Sequence, residues 1–171
     1  MILEALRGEF EQEAANTRRL LQAVPAEKTG FRVTGFGWTL GELAQHIATI
    51  YFWYVGALTQ DVYDIGATGY ERPDPMDISA TRDLFERNLA QARAALQGMK
   101  EEDLLRNWSL VNHGQVIIPP MPRLQVTRGF LFNHLYHHRG ELVVYLRAAG
   151  ARVPGLYGPT YEDGLRAASG A

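Results

Sequence analysis

The stretch "NHLYHHRGELVVYLR", residues 133–147, places three histidines within five positions: His134, His137 and His138. The whole chain contains only five histidines. Histidine is the commonest metal ligand, and it is also the side chain whose ordinary pKa lies near neutral pH. The stretch therefore indicates two possible functions, metal binding and proton transfer, and both depend on the directions of the imidazole rings.

The three imidazoles do not share one direction if this stretch is helical. An α-helix turns about 100° per residue, which places His134 and His138 about 40° apart, on a stripe shared with Glu141 and Tyr145. His137 lies about 60° from His134 and about 100° from His138. His134 and His138 are therefore the pair best placed to bind one ion, and His134 with His137 remains a geometric alternative.

A second helical stretch, "WTLGELAQHIATIYFWYVGAL", supplies a further histidine. The neighbours of His46 one turn away are Leu43 and Ile50, which fit a buried stripe, so His46 is expected to face inward. Three imidazoles would leave a coordination position open for water or substrate, as in catalytic zinc sites. Because imidazole also binds nickel, copper and iron, the ligands do not select the metal. The alternative is that these histidines are hydrogen-bonded core residues.

Four amphipathic segments would carry these side chains. The first is ended by Pro25, the second begins with the capping box Thr39–Glu42, and the fourth ends before Gly150. Such segments predict an all-α four-helix bundle, formed by residues 1–171 as one domain. The other bounds are about Leu3–Val24 for the first helix, Ser79–Leu96 for the third and Leu124–Ala149 for the fourth.

The connections are predicted to be less regular. "DIGATGYERPDP" is a loop between the second and third helices. Before the last helix, Trp108–Val111 and Val116–Ile118 flank "NHG", which permits a short hairpin that Pro119 and Pro120 would end. Residues 150–171 are rich in glycine and proline and are expected to form an irregular, partly packed tail.

The amino-acid composition excludes several classes of partner and of chemistry. The net charge is −2 and the pI about 6.2, so no basic excess indicates nucleic acid or an anionic membrane as partner. The absence of cysteine excludes disulfides, thiolate metal sites and a cysteine nucleophile, and it is typical of a cytoplasmic protein. No apolar run approaches the roughly 18 residues that span a bilayer.

The last helix also has an apolar outer side, formed by Phe132, Tyr136 and Val143 with Gly129 and Gly140 nearby. A helix that is apolar all round is covered on both sides, and glycines allow close helix approach. A homodimer through this face is therefore expected. Packing of the C-terminal tail on the same face is the competing explanation.

"NHLYHHRGELVVYLR" followed by "VPGLYGPTYED" closely resembles the C-terminal signature of the DinB-like (YfiT-like) family, and "WTLGELAQHI" resembles its second-helix motif. The resemblance implies a four-helix bundle that binds a divalent metal through His46, His134 and His138, with His137 as a non-ligand. Zinc or nickel is expected, with iron or manganese as alternatives. No catalytic residue is assigned. Glu141 is the one candidate, because a carboxylate on the stripe of His134 and His138 could act as a base, although it departs from the more frequent glutamine of the family at this position.

The resemblance also implies a chemistry, since the wider superfamily includes metal-dependent enzymes that use a low-molecular-weight thiol. A thiol transferase is the first hypothesis, and its sulfur would arrive with the cosubstrate because the chain has no cysteine. A metal-dependent hydrolase and a non-catalytic, stress-related metal-binding protein are the alternatives. Glu141 could orient a ligand imidazole, bind the metal or act as a base, and an intrahelical or tail salt bridge is its structural interpretation.

Overall fold

The structure is a computed structural model, and it describes residues 1–35, 37–68 and 77–169. It confirms the predicted helical fold, with small shifts of the helix ends. A short helix, α4, and a π-helical segment lead without a break into the last long helix, so that residues 123–148 form one helical column. The helices are α1 (Ile2–Ala23), α2 (Leu40–Thr59), α3 (Ile78–Gly98), α4 (Arg123–Val126), the π-helical Thr127–Phe132 and α5 (Asn133–Ala148).

The ends of the helices follow local signals in the sequence. The Thr39 hydroxyl accepts a hydrogen bond from the backbone N–H of Glu42 at 3.1 Å, and the Glu42 carboxylate accepts one from the backbone N–H of Thr39 at 2.7 Å. The predicted capping box is therefore confirmed, and it fixes the start of α2. After α5, Gly150 adopts a φ of 71°, a left-handed conformation that ends helices.

A small three-stranded sheet accompanies the helices, with strands β1 (Val62–Asp64), β2 (Asn107–Asn112) and β3 (Gln115–Pro122). The hairpin of β2 and β3 was predicted and is confirmed, and its turn has positive φ at both His113 and Gly114. The prediction that two prolines would end β3 was wrong. They are tolerated because β3 is an edge strand, whose outer side needs no N–H donor. The parallel pairing of β1 with β2 was not predicted.

Apolar side chains from the four long helices and the sheet form one buried core. Trp108 of β2 is buried in it, and its indole N–H donates to the Gly56 carbonyl at 3.3 Å. The sheet therefore packs beside the C-terminal part of α2. Within the described residues, no helix is long and apolar enough to cross a membrane. Residues 69–75 of the predicted inter-helix loop lie outside the described residues.

The C-terminal tail was expected to be irregular because of its glycines and prolines. The structure corrects this, because the tail contains helix α6 (Tyr161–Ser169). A second capping box starts this helix: the Asp163 N–H donates to the Thr160 hydroxyl at 3.1 Å, and the Thr160 N–H donates to the Asp163 carboxylate at 3.0 Å. The motif "TYED" carries this signal in the sequence. An ion pair of 3.3 Å between Arg147 and Glu162 attaches α6 to α5.

The outer side of α5 is partly covered from within the chain. Phe132 is only 1% exposed, and the Tyr136 hydroxyl donates to the Glu9 carboxylate of α1 at 2.6 Å. Tyr157 of the C-terminal segment lies over the same side, where its hydroxyl accepts a hydrogen bond from Arg139 at 2.6 Å. Packing by the tail, the competing explanation for this face, is therefore present. The homodimer stays a prediction.

Candidate metal centre

Helices α2 and α5 bring His46 together with His134 and His138. One ring nitrogen from each residue lies within 4.8 Å of the other two. The Nε2 atoms of His46 and His134 are 3.3 Å apart, and the ring centroids of His46 and His138 are 4.5 Å apart. The structure thus groups the three residues that the sequence singled out, from two helices that are distant in the chain.

The spacing of these nitrogens suits a metal ion. Zinc–nitrogen bonds of about 2.0–2.1 Å in a tetrahedral arrangement place neighbouring ligand nitrogens about 3.3–3.4 Å apart. The distance of 3.3 Å between Nε2 of His46 and Nε2 of His134 agrees with that value. A hydrogen bond between these two rings would explain this single distance. It would not explain why His138 converges on the same point.

The electrostatics also favour neutral ligands. Burial lowers the pKa of His134 to about 4, with further lowering by the nearby His138 and His137. At neutral pH the ring of His134 is therefore uncharged and keeps a lone pair for an ion. Its Nδ1 atom is buried and has no hydrogen-bond partner among the described residues.

Glu141 lies beside the cluster on α5. Its Oε2 atom is 2.6 Å from Nδ1 of His138, which leaves Nε2 as the ring nitrogen available to an ion. The second oxygen, Oε1, is 3.5 Å from Nε2 of His137. The His137 side chain is 65% exposed, and it groups with His138 and Glu141 rather than with His46. That His137 is a non-ligand stays a prediction.

Aromatic rings enclose the histidines. Trp38 is stacked on His46, with ring centroids 4.9 Å apart, and Trp53 is stacked on His134 at 5.5 Å. Phe130 is stacked on Trp53, with ring centroids 6.0 Å apart, and its ring also lies 6.0 Å from that of His134. The sequence alone did not assign Trp38 or Phe130 to the site. Phe130 precedes His134 by one helical turn, a spacing that could have revealed it.

Trp38 precedes α2, and a hydrogen bond to its own backbone carbonyl holds it there. The Tyr145 hydroxyl donates to the Trp38 carbonyl at 2.8 Å, and burial raises the pKa of Tyr145, which keeps this donor protonated. Glu42 serves as the helix cap of α2. Its carboxylate is also 3.7 Å from the Arg32 guanidinium.

A buried ion pair lies on the other side of α5 and was missed in the sequence. The Arg139 guanidinium donates to the Glu13 carboxylate of α1, and it also donates to the Glu13 carbonyl at 3.0 Å. The Tyr157 hydroxyl donates to the same carboxylate at 2.7 Å. Both charged side chains are almost fully buried. The group therefore attaches α1 and the C-terminal segment to the helix that carries two of the three clustered histidines.

A mainly helical bundle with an inward-facing three-histidine cluster defines the class of this protein. The family model described as "DinB family" matches residues 4–167, so the chain belongs to the DinB family. The chain is also 30% identical to the protein YrdA of Bacillus subtilis (strain 168) over 155 residues, which are 90% of this chain and 87% of YrdA.

Solved structures share the fold. A DinB-like protein from Bacillus cereus aligns with a TM-score of 0.70 and 26% identity, covering 90% of this chain and 97% of that protein. A mycothiol-dependent maleylpyruvate isomerase aligns with a TM-score of 0.59 and 17% identity, covering 96% of this chain and 66% of the isomerase. At 17% identity the likeness to the isomerase shows the fold alone.

Proposed function

We propose that this protein is a divalent-metal-dependent enzyme with an open three-histidine site. The observation that carries the proposal is the convergence of His46, His134 and His138 at the spacing of ligands to one ion. A divalent ion at such a site supplies Lewis-acid chemistry, because it lowers the pKa of a thiol or a water molecule bound at its open position. Zinc and nickel suit the donor set, and iron or manganese would occupy it less readily.

The residues around the cluster prepare it for this role. The desolvated His134 stays neutral, and the carboxylate of Glu141 holds a proton at Nδ1 of His138. Trp38 and Trp53 stack on the ligand rings and exclude water from two sides of the site. Exclusion of water strengthens electrostatic interactions at the open position.

We further propose that the enzyme transfers a low-molecular-weight thiol. The chain contains no cysteine, so a sulfur nucleophile must come from a cosubstrate. The fold is shared with an isomerase that depends on mycothiol, a small thiol. In the proposed reaction the thiol sulfur forms a bond to an electrophilic carbon. The leaving group departs with the bonding electron pair, and the thiol proton passes to solvent.

The test is a coupled screen of metals and thiols. Protein loaded with Zn²⁺, Ni²⁺ or Mn²⁺ is mixed with cysteine, glutathione or mycothiol and with 1-chloro-2,4-dinitrobenzene, and formation of the coloured thioether is followed. We expect acceleration with at least one thiol, and its loss in His46→Ala. Metal-loaded protein that accelerates thioether formation with none of the thiols, but hydrolyses p-nitrophenyl acetate, would replace the transferase by a hydrolase.

A further inference from the structure

Glu141 lies between two imidazoles of different exposure. Its Oε2 atom is 2.6 Å from Nδ1 of His138, and its Oε1 atom is 3.5 Å from Nε2 of His137. The side chain of His138 is 11% exposed and that of Glu141 is 25% exposed, whereas His137 is at the surface. A nitrogen–oxygen distance of 2.6 Å is short and typical of a charge-assisted hydrogen bond. Glu141 therefore interacts chiefly with the buried histidine.

The chemistry of imidazole gives this contact a consequence for metal binding. In a neutral imidazole one nitrogen carries the proton and the other carries the lone pair. A carboxylate that accepts from Nδ1 of His138 keeps the proton there, so the lone pair lies at Nε2. A carboxylate in this position also fixes the orientation of the ring and raises the basicity of the ligating nitrogen.

We propose that Glu141 is the positioning residue of the candidate metal centre. It holds the ring of His138 with Nε2 toward His46 and His134 and does not itself bind the ion. This inference rests on the proposed function, since orientation of His138 has a purpose only if an ion binds there. It differs from the idea that Glu141 is a base, because each carboxylate oxygen faces an imidazole nitrogen.

The competing arrangement is a second metal site. His137, His138 and the Glu141 carboxylate also lie close enough to hold an ion, and Nδ1 is the nitrogen of His138 that contacts Glu141. In that arrangement His138 would bind two ions, one through each nitrogen, and its ring would have to lose the Nδ1 proton. The 2.6 Å hydrogen bond uses that proton, which favours positioning over ligation.

The experiment compares Zn²⁺ affinity, by competition with a chromogenic chelator, in the full-length wild type, Glu141→Leu, Glu141→Gln and His137→Leu. We expect affinity to fall by about 10- to 100-fold in Glu141→Leu, the usual loss when such a partner is removed. Glu141→Gln keeps an acceptor oxygen and should have an intermediate affinity. His137→Leu, matched in size and removing the other imidazole, should bind like the wild type.

Cobalt provides the second readout. At saturating Co²⁺ the visible absorption spectrum reports the ligand set, so a positioning residue can be replaced without changing the spectrum. We expect the same spectrum in wild type and Glu141→Leu, with more Co²⁺ needed in the variant. Far-UV circular dichroism and thermal melting show that the variants are folded.

Several results would overturn the proposal. Equal Zn²⁺ affinity of Glu141→Leu and wild type would remove Glu141 from the centre and leave the proposed function intact. An altered Co²⁺ spectrum, or a second bound ion that Glu141→Leu loses, would make Glu141 a ligand. A fall in affinity in His137→Leu as large as that in Glu141→Leu would move the centre toward His137. Failure of the wild type itself to bind Zn²⁺ or Co²⁺ would instead contradict the proposed function.

Discussion

The Nε2 atoms of His46 and His134 lie 3.3 Å apart, although 88 positions separate the two residues in the chain. The packing of α2 on α5 produces this proximity, because Ile47 and Leu135, each next to one of the histidines, are fully buried in the same core. The candidate centre is thus built by the bundle itself and not by a flexible loop. Changes that loosen α2, α5 or their partners should weaken the site.

Loss of the α2 cap should lower stability. Thr39→Ala removes the hydroxyl that accepts from the Glu42 N–H, and we expect it to lower the free energy of unfolding by about 1 kcal/mol. The measurement is urea denaturation followed by circular dichroism. Thr59→Ala, at the exposed end of the same helix, is the matched control and should change stability by less than about 0.5 kcal/mol. Equal losses in the two variants would contradict the capping role.

The buried ion pair between α1 and α5 should be essential for stability. Arg139→Met leaves the Glu13 carboxylate buried without its partner, and we expect a loss of about 3–5 kcal/mol in the free energy of unfolding. Arg18→Met breaks the exposed pair with Glu86 and should cost less than about 1 kcal/mol. Denaturant unfolding of the metal-free variants tests the difference. Similar losses of unfolding free energy in Arg139→Met and Arg18→Met would show that the Glu13 carboxylate is solvated.

Two surface ion pairs between α1 and α3 should contribute to the pH dependence of stability. Hydrogen bonds from Arg93 and Arg18 lower the pKa of the Glu11 and Glu86 carboxyls, respectively, below their ordinary values. A carboxyl whose pKa is lowered by folding stabilises the folded state above its ordinary pKa. That contribution is lost as the pH falls through the lowered pKa.

The double variant Glu11→Gln/Glu86→Gln should therefore be less stable than the wild type at pH 7, by a small amount typical of surface pairs. The difference should shrink as the pH falls below the ordinary carboxyl pKa of about 4.3. Thermal melting across this range at low ionic strength measures it. A difference that stays constant with pH would show that the pairs do not contribute through charge.

The stacked indoles should report metal binding. Trp38 and Trp53 stack directly on two of the clustered histidines, whereas Trp108 packs against Phe130, which in turn contacts His134. A paramagnetic ion such as Cu²⁺ quenches nearby indoles, so titration should reduce the fluorescence of the wild type. Trp38→Phe/Trp53→Phe, which leaves Trp108 as the only tryptophan, should lose a smaller fraction of its emission. Equal fractional quenching would place the ion elsewhere.

The sequence predicted those features that depend on local patterns. The capping box at Thr39, the hairpin turn at His113 and the inward stripe of His134 and His138 each depend on residues within one or two turns. Placing His46 beside them required the additional assumption that the inward faces of the second and the last helix meet.

Features that depend on distant partners were not predicted. β1 is only three residues long and pairs with β2, so its own pattern is too short to indicate a strand. Trp38 lies outside any helix, and its place on His46 depends on the hydrogen bond that its carbonyl accepts from Tyr145. The ion pair between Glu13 and Arg139 joins two helices, and neither residue alone indicates burial.

The most direct test of the proposed metal centre is the metal content of untagged, purified protein by elemental analysis, beside a His46→Ala variant. His113→Asn is the matched control, because it removes a histidine in the β2–β3 turn and asparagine tolerates positive φ. We expect about one divalent ion per chain in the wild type and in His113→Asn, and its loss in His46→Ala. No bound metal in the wild type, even after incubation with zinc, nickel and manganese, would contradict the proposed three-histidine metal centre.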